Sequence, residues 1–277
     1  MAVNLFYWIK SCIFVIINQL IKKEMQIYPT DLTDNQWAKI EKIFNTRKRK
    51  HSLKEIVNAL FYITKSGIQW RMLPKEYPKW QLVYYYFRRW TGEGLVEEMH
   101  ELLLSLCRQQ ANRNLSPSLG LIDSQSVKTS SMTQEKGYDG GKKIQGRKRH
   151  IVTDTLGFIL AVVVHNAGLQ DREGAKLVIQ ELRFKYPRLK KILADGGYTG
   201  ELAKWVLHLT GWTLEIVSKV VGISGFNVIP KRWVVERTFG WFNFNRRLAK
   251  DYEINTECST AFIHLTMCRI MLNRLKK

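Results

Sequence analysis

The sequence predicts a chain in two parts: a helical region followed by an α/β domain built on a mixed sheet. Three observations predict it. Residues 31–115 carry apolar side chains at helical spacing. After Leu119 the pattern changes to short apolar runs alternating with helical stretches. Between the two lies a polar segment, 111–118, with a single proline. On this reading 25–115 is one domain, 116–277 is a second, and 1–24 is an apolar extension apart from both.

In the helical region, "LTDNQWAKIEKIF" has a capping-box pattern from Thr33 to Gln36 ahead of Trp37, Ile40 and Phe44. "SLKEIVNALFYITKSG" has a second, Ser52 to Glu55, and Gly67 closes it. "IQWRMLPKEYPKW" holds two prolines and reads as a loop. The stretch from Gln81 to Gln110 reads as one long helix or two, broken near Gly92 and Gly94. A helix-turn-helix here, with Arg88 and Arg89 among aromatics, suits a helix entering a DNA groove. Packing into the core is the expected fate of most of Tyr84, Tyr85, Phe87 and Trp90.

In the second region, "LGLIDSQSVKT" is strand-like and "GYDGGKKIQGRKRH" reads as a glycine-rich basic loop. "IVTDTLGFILAVVVHNAG" gives two strands about a turn at Thr155, Leu156 and Gly157. A helix follows in "DREGAKLVIQELRFKYP", then a strand in "KKILADGG", a helix in "ELAKWVLHLTG" and a strand in "WTLEIVSKV". "KRWVVERTFGWFNFNRRLAKDYE" is helical, and the stretch from Thr256 is a final amphipathic helix.

The 277 residues are 45% hydrophobic and 25% charged, enough to bury a core. Lys plus Arg number 44 against 24 Asp plus Glu, a net charge of +20. That excess points first to a nucleic acid, whose phosphates Lys and Arg neutralise, and second to an acidic membrane surface. None of the four cysteines forms a C-x-x-C pair, which argues against structural zinc and for idle thiols in a reducing compartment. Lys10 interrupts the apolar extension, and the run from Cys12 to Ile17 is too short to cross a bilayer. An added helix, or a leader from an upstream start, is expected there, with no membrane partner.

Asp195 ends the apolar run of "KKILADGG", and Asp123 follows Leu121 and Ile122 in another strand. Buried acids are rare unless paired or metal-bound. Glu236 sits among apolar neighbours in "RWVVERTF". If these three converge, they form a hard oxygen site suited to Mg²⁺ or Mn²⁺. Two such ions can activate an attacking oxygen and stabilise a leaving one in phosphodiester chemistry. Arg232, four residues before Glu236, could steer it or hold a phosphate, and Arg237, Arg246 and Arg247 extend that basic surface. Lys142, Lys143, Arg147, Lys148 and Arg149 are expected to meet a DNA backbone. Asp139 and Asp154 read as turn residues and His165 as structural. Ser124 and Ser126 lack a G-x-S-x-G frame, and "GYDGG" lacks nucleotide-loop spacing.

The segments "LIDSQSVKT", "GYDGGKKIQGRKRHIVTDTLG", "LADGGYTG" and "RWVVERTFGWF", followed by "NRRLAKDYE", closely resemble bacterial insertion-sequence transposases with an Asp-Asp-Glu triad. The nearest group is the insertion-sequence-five family. "YPTDLTDNQW", "GIQWRMLP" and "YYFRRW" resemble its N-terminal helical DNA-binding region, so the match runs from about Met25 to the C-terminus. The resemblance implies a ribonuclease H-like catalytic domain with Asp123, Asp195 and Glu236 as catalytic metal ligands. It implies metal-dependent hydrolysis at terminal inverted repeats, then attack of the freed 3′-hydroxyl on target DNA. Pairing two element ends implies a homodimer or higher assembly on DNA, in a bacterial cytoplasm at the nucleoid. Arg232 and Glu236 fit the family signature, whereas Ile229 and Asn243 stand where it has Tyr and Lys. Arg246 or Arg247 could replace the missing phosphate contact. The residues also allow a nuclease of the same fold that does not join strands, or a copy that only binds DNA.

Overall fold

The computed structural model describes residues 28–44, 50–217 and 233–275. The extension 1–24, Ile229 and Arg232 lie outside the described residues. Among the described residues, no helix is long and apolar enough to cross a membrane.

The helical region opens with α1 (Asp34–Ala38), where the capping box forms: Thr33 accepts from the Gln36 N–H and the Gln36 side chain accepts from the Thr33 N–H. Ser52 caps α2 (Leu53–Ser66) by accepting from the Lys54 N–H, and Gly67 ends it in the left-handed conformation. The prolines of 70–78 do fall in a loop, apart from a short 3₁₀ turn at Trp70–Met72. The long helical pattern resolves into two helices, α3 (Trp80–Gly92) and α4 (Leu95–Gln110), because Gly94 turns the chain with φ 75°. Phe87 and Trp90 enter the core, but Tyr84 and Tyr85 stay exposed on the outer face of α3 with Arg88 and Arg89.

Among the described residues, the second region folds on a six-stranded mixed sheet. Its strands are β1 (Leu119–Lys128), β2 (Gly137–Asp139), β3 (Ile144–Thr153), β4 (Ile159–Asn166), β5 (Lys191–Ala194) and β6 (Thr213–Ile216). The order is β2-β3-β1-β5-β6, with β4 pairing β3 beyond the end of β2. The β1–β3, β2–β3 and β3–β4 pairs are antiparallel, whereas β1–β5 and β5–β6 are parallel. The parallel steps are bridged by helices, α5 (Asp171–Leu182) and α6 (Leu202–Thr210), as parallel pairing requires. After β6 come α7 (Trp233–Asn243), α8 (Arg246–Ala249) and α9 (Thr256–Arg274).

Two expectations are corrected. The segment expected to be a basic loop is instead β2, a short turn and the whole first half of β3. Its charged residues hid a strand that pairs with the equally polar second half of β1, Ser124 to Lys128. The last helix, α9, is not amphipathic. It is buried on nearly every side, including each residue from Ala261 to Cys268, because it lies between the helical region and the sheet. It packs on α2, α3 and α4 on one side and on β4 on another.

One core therefore runs through both regions, from Leu60, Phe87 and Leu103 to Ile151, Phe262 and Ile179. A buried ion pair reinforces it. Arg108 of α4 bonds Asp154 in the β3–β4 turn, whose other carboxylate oxygen accepts the Leu156 and Phe158 N–H groups at 2.9 Å each. Asp154 is thus a turn residue, as expected, and also a cross-link between the regions.

Candidate active site

Parallel pairing sets the first two predicted acids at matching distances from one paired rung. Leu121 of β1 lies opposite Leu193 of β5. Two residues further along each chain come Asp123 and Asp195. Strand periodicity returns both to the face of that pair, and neighbouring strands run about 4.8 Å apart. Asp195 is where β5 stops: it caps a 3₁₀ turn, Gly196–Tyr198, and its Oδ1 accepts the Gly197 N–H at 2.8 Å. Asp123 Oδ1 accepts the N–H of Ser124 at 2.7 Å. Tyr198 lies close to both acids. Burial first, then the charges of Asp123, Asp171 and Asp195, push its hydroxyl well above the usual tyrosine range.

Asp171 is the residue that sequence reasoning missed. It opens α5, and its Oδ1 accepts from Ser124 Oγ at 3.0 Å and Lys148 Nζ at 2.8 Å. Its Oδ2 would lie 3.8 Å from a Cβ on Gly197, on the side of Gly197 that faces Asp195. Burial works against its ionisation, but the Lys148 ammonium and the Ser124 hydroxyl outweigh that and hold the carboxyl below its ordinary range. In the sequence it was one acid in a first helical turn, a commonplace position favoured by the helix dipole. Only the register of β1 with β3, which sets Ser126 opposite Lys148, places it at the site.

Glu236 stands in the first turn of α7, which packs against β1. Its neighbour Val235 shares a narrow cleft with Leu121, Ile122, Leu193 and Asp195. The helix thus delivers Glu236 to the same end of the sheet, but its side chain is exposed. Among the described residues no three His, Cys, Asp or Glu side chains stand close enough to share a metal ion. Asp123 and Asp195 thus each lie two residues past the same paired rung, and Glu236 stands exposed on the helix that packs against β1.

The basic residues divide sharply. Lys142 and Lys143 are exposed on the β2–β3 turn, and Lys142 Nζ donates to the Ser124 carbonyl at 3.1 Å. Arg147, Lys148 and Arg149 are 0%, 4% and 1% exposed. Burial removes them from the role of phosphate contacts. Alternation along β3 sends Arg147 and Arg149 to one face and Lys148 to the other. Arg147 binds the carbonyls of Gln134, Glu253, Ile254 and Asn255, and Arg149 binds that of Leu248 at 2.8 Å. Lys148 bonds the Leu169 carbonyl and lies 3.5 Å from Asp139. Arg247 is also corrected: it is buried in an ion pair with Glu253 at 2.6 Å. Arg246, beside it, is exposed. Arg237 lies between the rings of Trp233 and Trp241, 4.6 and 4.8 Å from their centres, and donates to the Leu156 carbonyl. Arg88 is exposed and reaches Cys258 Sγ, while Arg89 pairs with Glu93.

An open groove lined by Gly140, Gly141, Gly168, Gly197, Asp171 and Arg172 adjoins the acids. Its glycines offer no side chain to obstruct an approaching strand. The groove borders Asp171 and the turn that follows Asp195.

Comparisons with known proteins find matches to both regions of the chain. Residues 114–271 match the family model described as "Transposase DDE domain". Residues 32–100 match the model described as "Putative transposase of IS4/5 family". A stretch of 139 residues is 32% identical to a Burkholderia cepacia protein named "Putative transposase for insertion sequence element IS402". That alignment covers 48% of this chain and 65% of the relative, just under two thirds of its length. The chain belongs to the DDE-domain transposase family.

Proposed function

We propose that this chain is a working DNA transposase whose 116–277 portion has a ribonuclease H-like fold. It would cut at the terminal inverted repeats of its own element and join the freed 3′-hydroxyl ends to target DNA. The observation that supports the reading is the parallel β1–β5 register, in which Leu121 lies opposite Leu193, two residues before Asp123 and Asp195 respectively.

The donor chemistry of this site fits Mg²⁺ or Mn²⁺: carboxylate oxygens from within β1 and from the residue after β5, with no thiolate or imidazole among the proposed ligands. Asp123, Asp195 and Glu236 would hold the metal, as a pair of ions, with Glu236 closing on the two aspartates from α7. When bound, such ions supply charge stabilisation to the attacking and departing oxygens. The chain's own part is to place the carboxylates and to hold the DNA. Lys142 and Lys143 stand on the turn beside the site, Arg246 follows α7, and Arg88 and Arg89 lie on the outer face of α3. These exposed cations, with Arg232 and the half-buried Arg237, are the proposed backbone contacts. The helical layer 25–115 would read the inverted repeats, and two copies would bring the two ends together in a bacterial cytoplasm, at the nucleoid.

The test is a joining assay. Full-length protein is mixed with pre-cut duplexes carrying the inverted repeats that flank its coding region, and with a supercoiled target plasmid. In Mg²⁺ or Mn²⁺, covalent end–plasmid products should form, and EDTA should abolish them. Cutting of uncut repeat DNA without any joining of pre-cut ends would make the protein a nuclease instead.

A further inference from the structure

Behind the paired acids runs a buried hydrogen-bonded chain that the proposed chemistry leaves unexplained. Tyr198 closes the turn that starts at Asp195, and its N–H donates to the Asp195 carbonyl at 3.1 Å. The Tyr198 side chain is 1% exposed. Its hydroxyl lies 3.1 Å from His150 Nε2. His150 Nδ1 lies 2.8 Å from His165 Nε2, and His165 Nδ1 lies 2.8 Å from the Asn166 carbonyl oxygen.

That terminal carbonyl fixes the direction of every bond, because it can only accept. His165 donates to it from Nδ1 and, as a neutral ring, accepts on Nε2. His150 therefore donates from Nδ1 and accepts on Nε2. Tyr198 must then donate its proton to His150. Neutral rings suit the site: burial, and then the neighbouring His165, push His150 down to about 3, and burial lowers His165 as well.

The chain ties the turn after Asp195 to β3, the strand paired with β1. His150 sits opposite Ser124 in the β1–β3 register, and Ser124 directly follows Asp123. The Tyr198–His150 bond thus fastens the turn after Asp195 to the strand pair that holds Asp123. Within the turn only Tyr198 has a side chain to do so, since Gly196 and Gly197 have none, and its hydroxyl also meets the Ser124 side chain on β1. Helix α5 closes over the histidine pair at Gly174, where a Cβ would come within 2.4 Å of His150 Nδ1 and 2.6 Å of His165 Nε2. Only glycine permits that approach.

We propose that Tyr198 is a positioning residue for Asp195, anchored by His150 and His165, and that it sets the metal affinity of the Asp123–Asp195 pair. This rests on the metal reading above. The test uses full-length Tyr198→Phe, His150→Gln and His150→Leu, with Mn²⁺ binding read from the EPR signal of free Mn²⁺ in the absence of DNA. Loss of one buried hydrogen bond should weaken Mn²⁺ binding about tenfold in Tyr198→Phe. His150→Leu should match it. His150→Gln, whose amide can accept from Tyr198 and donate toward His165, should stay within about threefold of wild type. Wild-type Mn²⁺ affinity in Tyr198→Phe, or equal losses in His150→Gln and His150→Leu, would overturn the proposal. If wild type binds Mn²⁺ no better than an Asp123→Asn/Asp195→Asn double variant, the metal reading itself fails, and the inference falls with it.

Discussion

Asp195→Asn is expected to lower end cleavage in Mg²⁺ by at least about a thousandfold, a loss of roughly 4 kcal/mol of transition-state stabilisation. DNA affinity should hardly change. The fold should survive, because an Asn oxygen can still accept the Gly197 N–H that Asp195 takes at 2.8 Å. Stability should even rise slightly. Asp123, Asp171 and Asp195 all act on the one buried Tyr198 hydroxyl, so their charges lie close enough to repel in metal-free protein. Removing one relieves that repulsion. Such a trade of stability for function is characteristic of a site built to bind a cation. Asp123→Asn and Glu236→Gln should behave alike in cleavage. Unchanged cleavage by Asp195→Asn would show that the acid pair has no part in the chemistry.

The second large effect is structural. Arg147→Met should cost about 3–5 kcal/mol, the usual penalty for removing one partner of a buried charged network. Arg147 is fully buried, and its guanidinium serves the carbonyls of Gln134, Glu253, Ile254 and Asn255 and the Ser259 hydroxyl at 2.6–3.2 Å. Asp251, 2% exposed, lies 3.4 Å away and would lose its cation. The melting temperature should fall by roughly 10 °C for a chain of this size, as calorimetry would show. A surface phosphate contact would behave in the opposite way, with weaker DNA binding and an unchanged melting temperature. The same variant therefore separates the two roles of the basic run on β3.

That run marks where the sequence was hard to read. Strand β5 and its terminal acid were legible because an apolar run followed by Asp-Gly-Gly leaves few options. Its parallel pairing with β1, in which Leu121 lies opposite Leu193, is written in no local spacing. Glu236 was legible as a helical acid among apolar neighbours, though its reach toward the aspartates was not. β3 was hidden because Gly146, Arg147, Lys148 and Arg149 show no alternation of apolar and polar residues. Alternation is present in space instead, with acceptors waiting on both faces. Asp171 was hidden for a related reason: its partners Lys148 and Ser124 lie on other strands, and no local spacing links them. The burial of α9 was hidden because its polar residues, Ser259, His264 and Thr266 among them, mimic an outer face while lying inside.

The central claim is that Asp123, Asp195 and Glu236 share metal. Iron-mediated hydroxyl-radical cleavage of the polypeptide tests it most directly, with Fe²⁺ in place of Mg²⁺ and repeat-end DNA present. Backbone cuts should fall near all three residues, be suppressed by excess Mg²⁺ and be lost in Asp195→Asn. Cuts that persist in Asp195→Asn, or that spare the chain near Glu236, would contradict it.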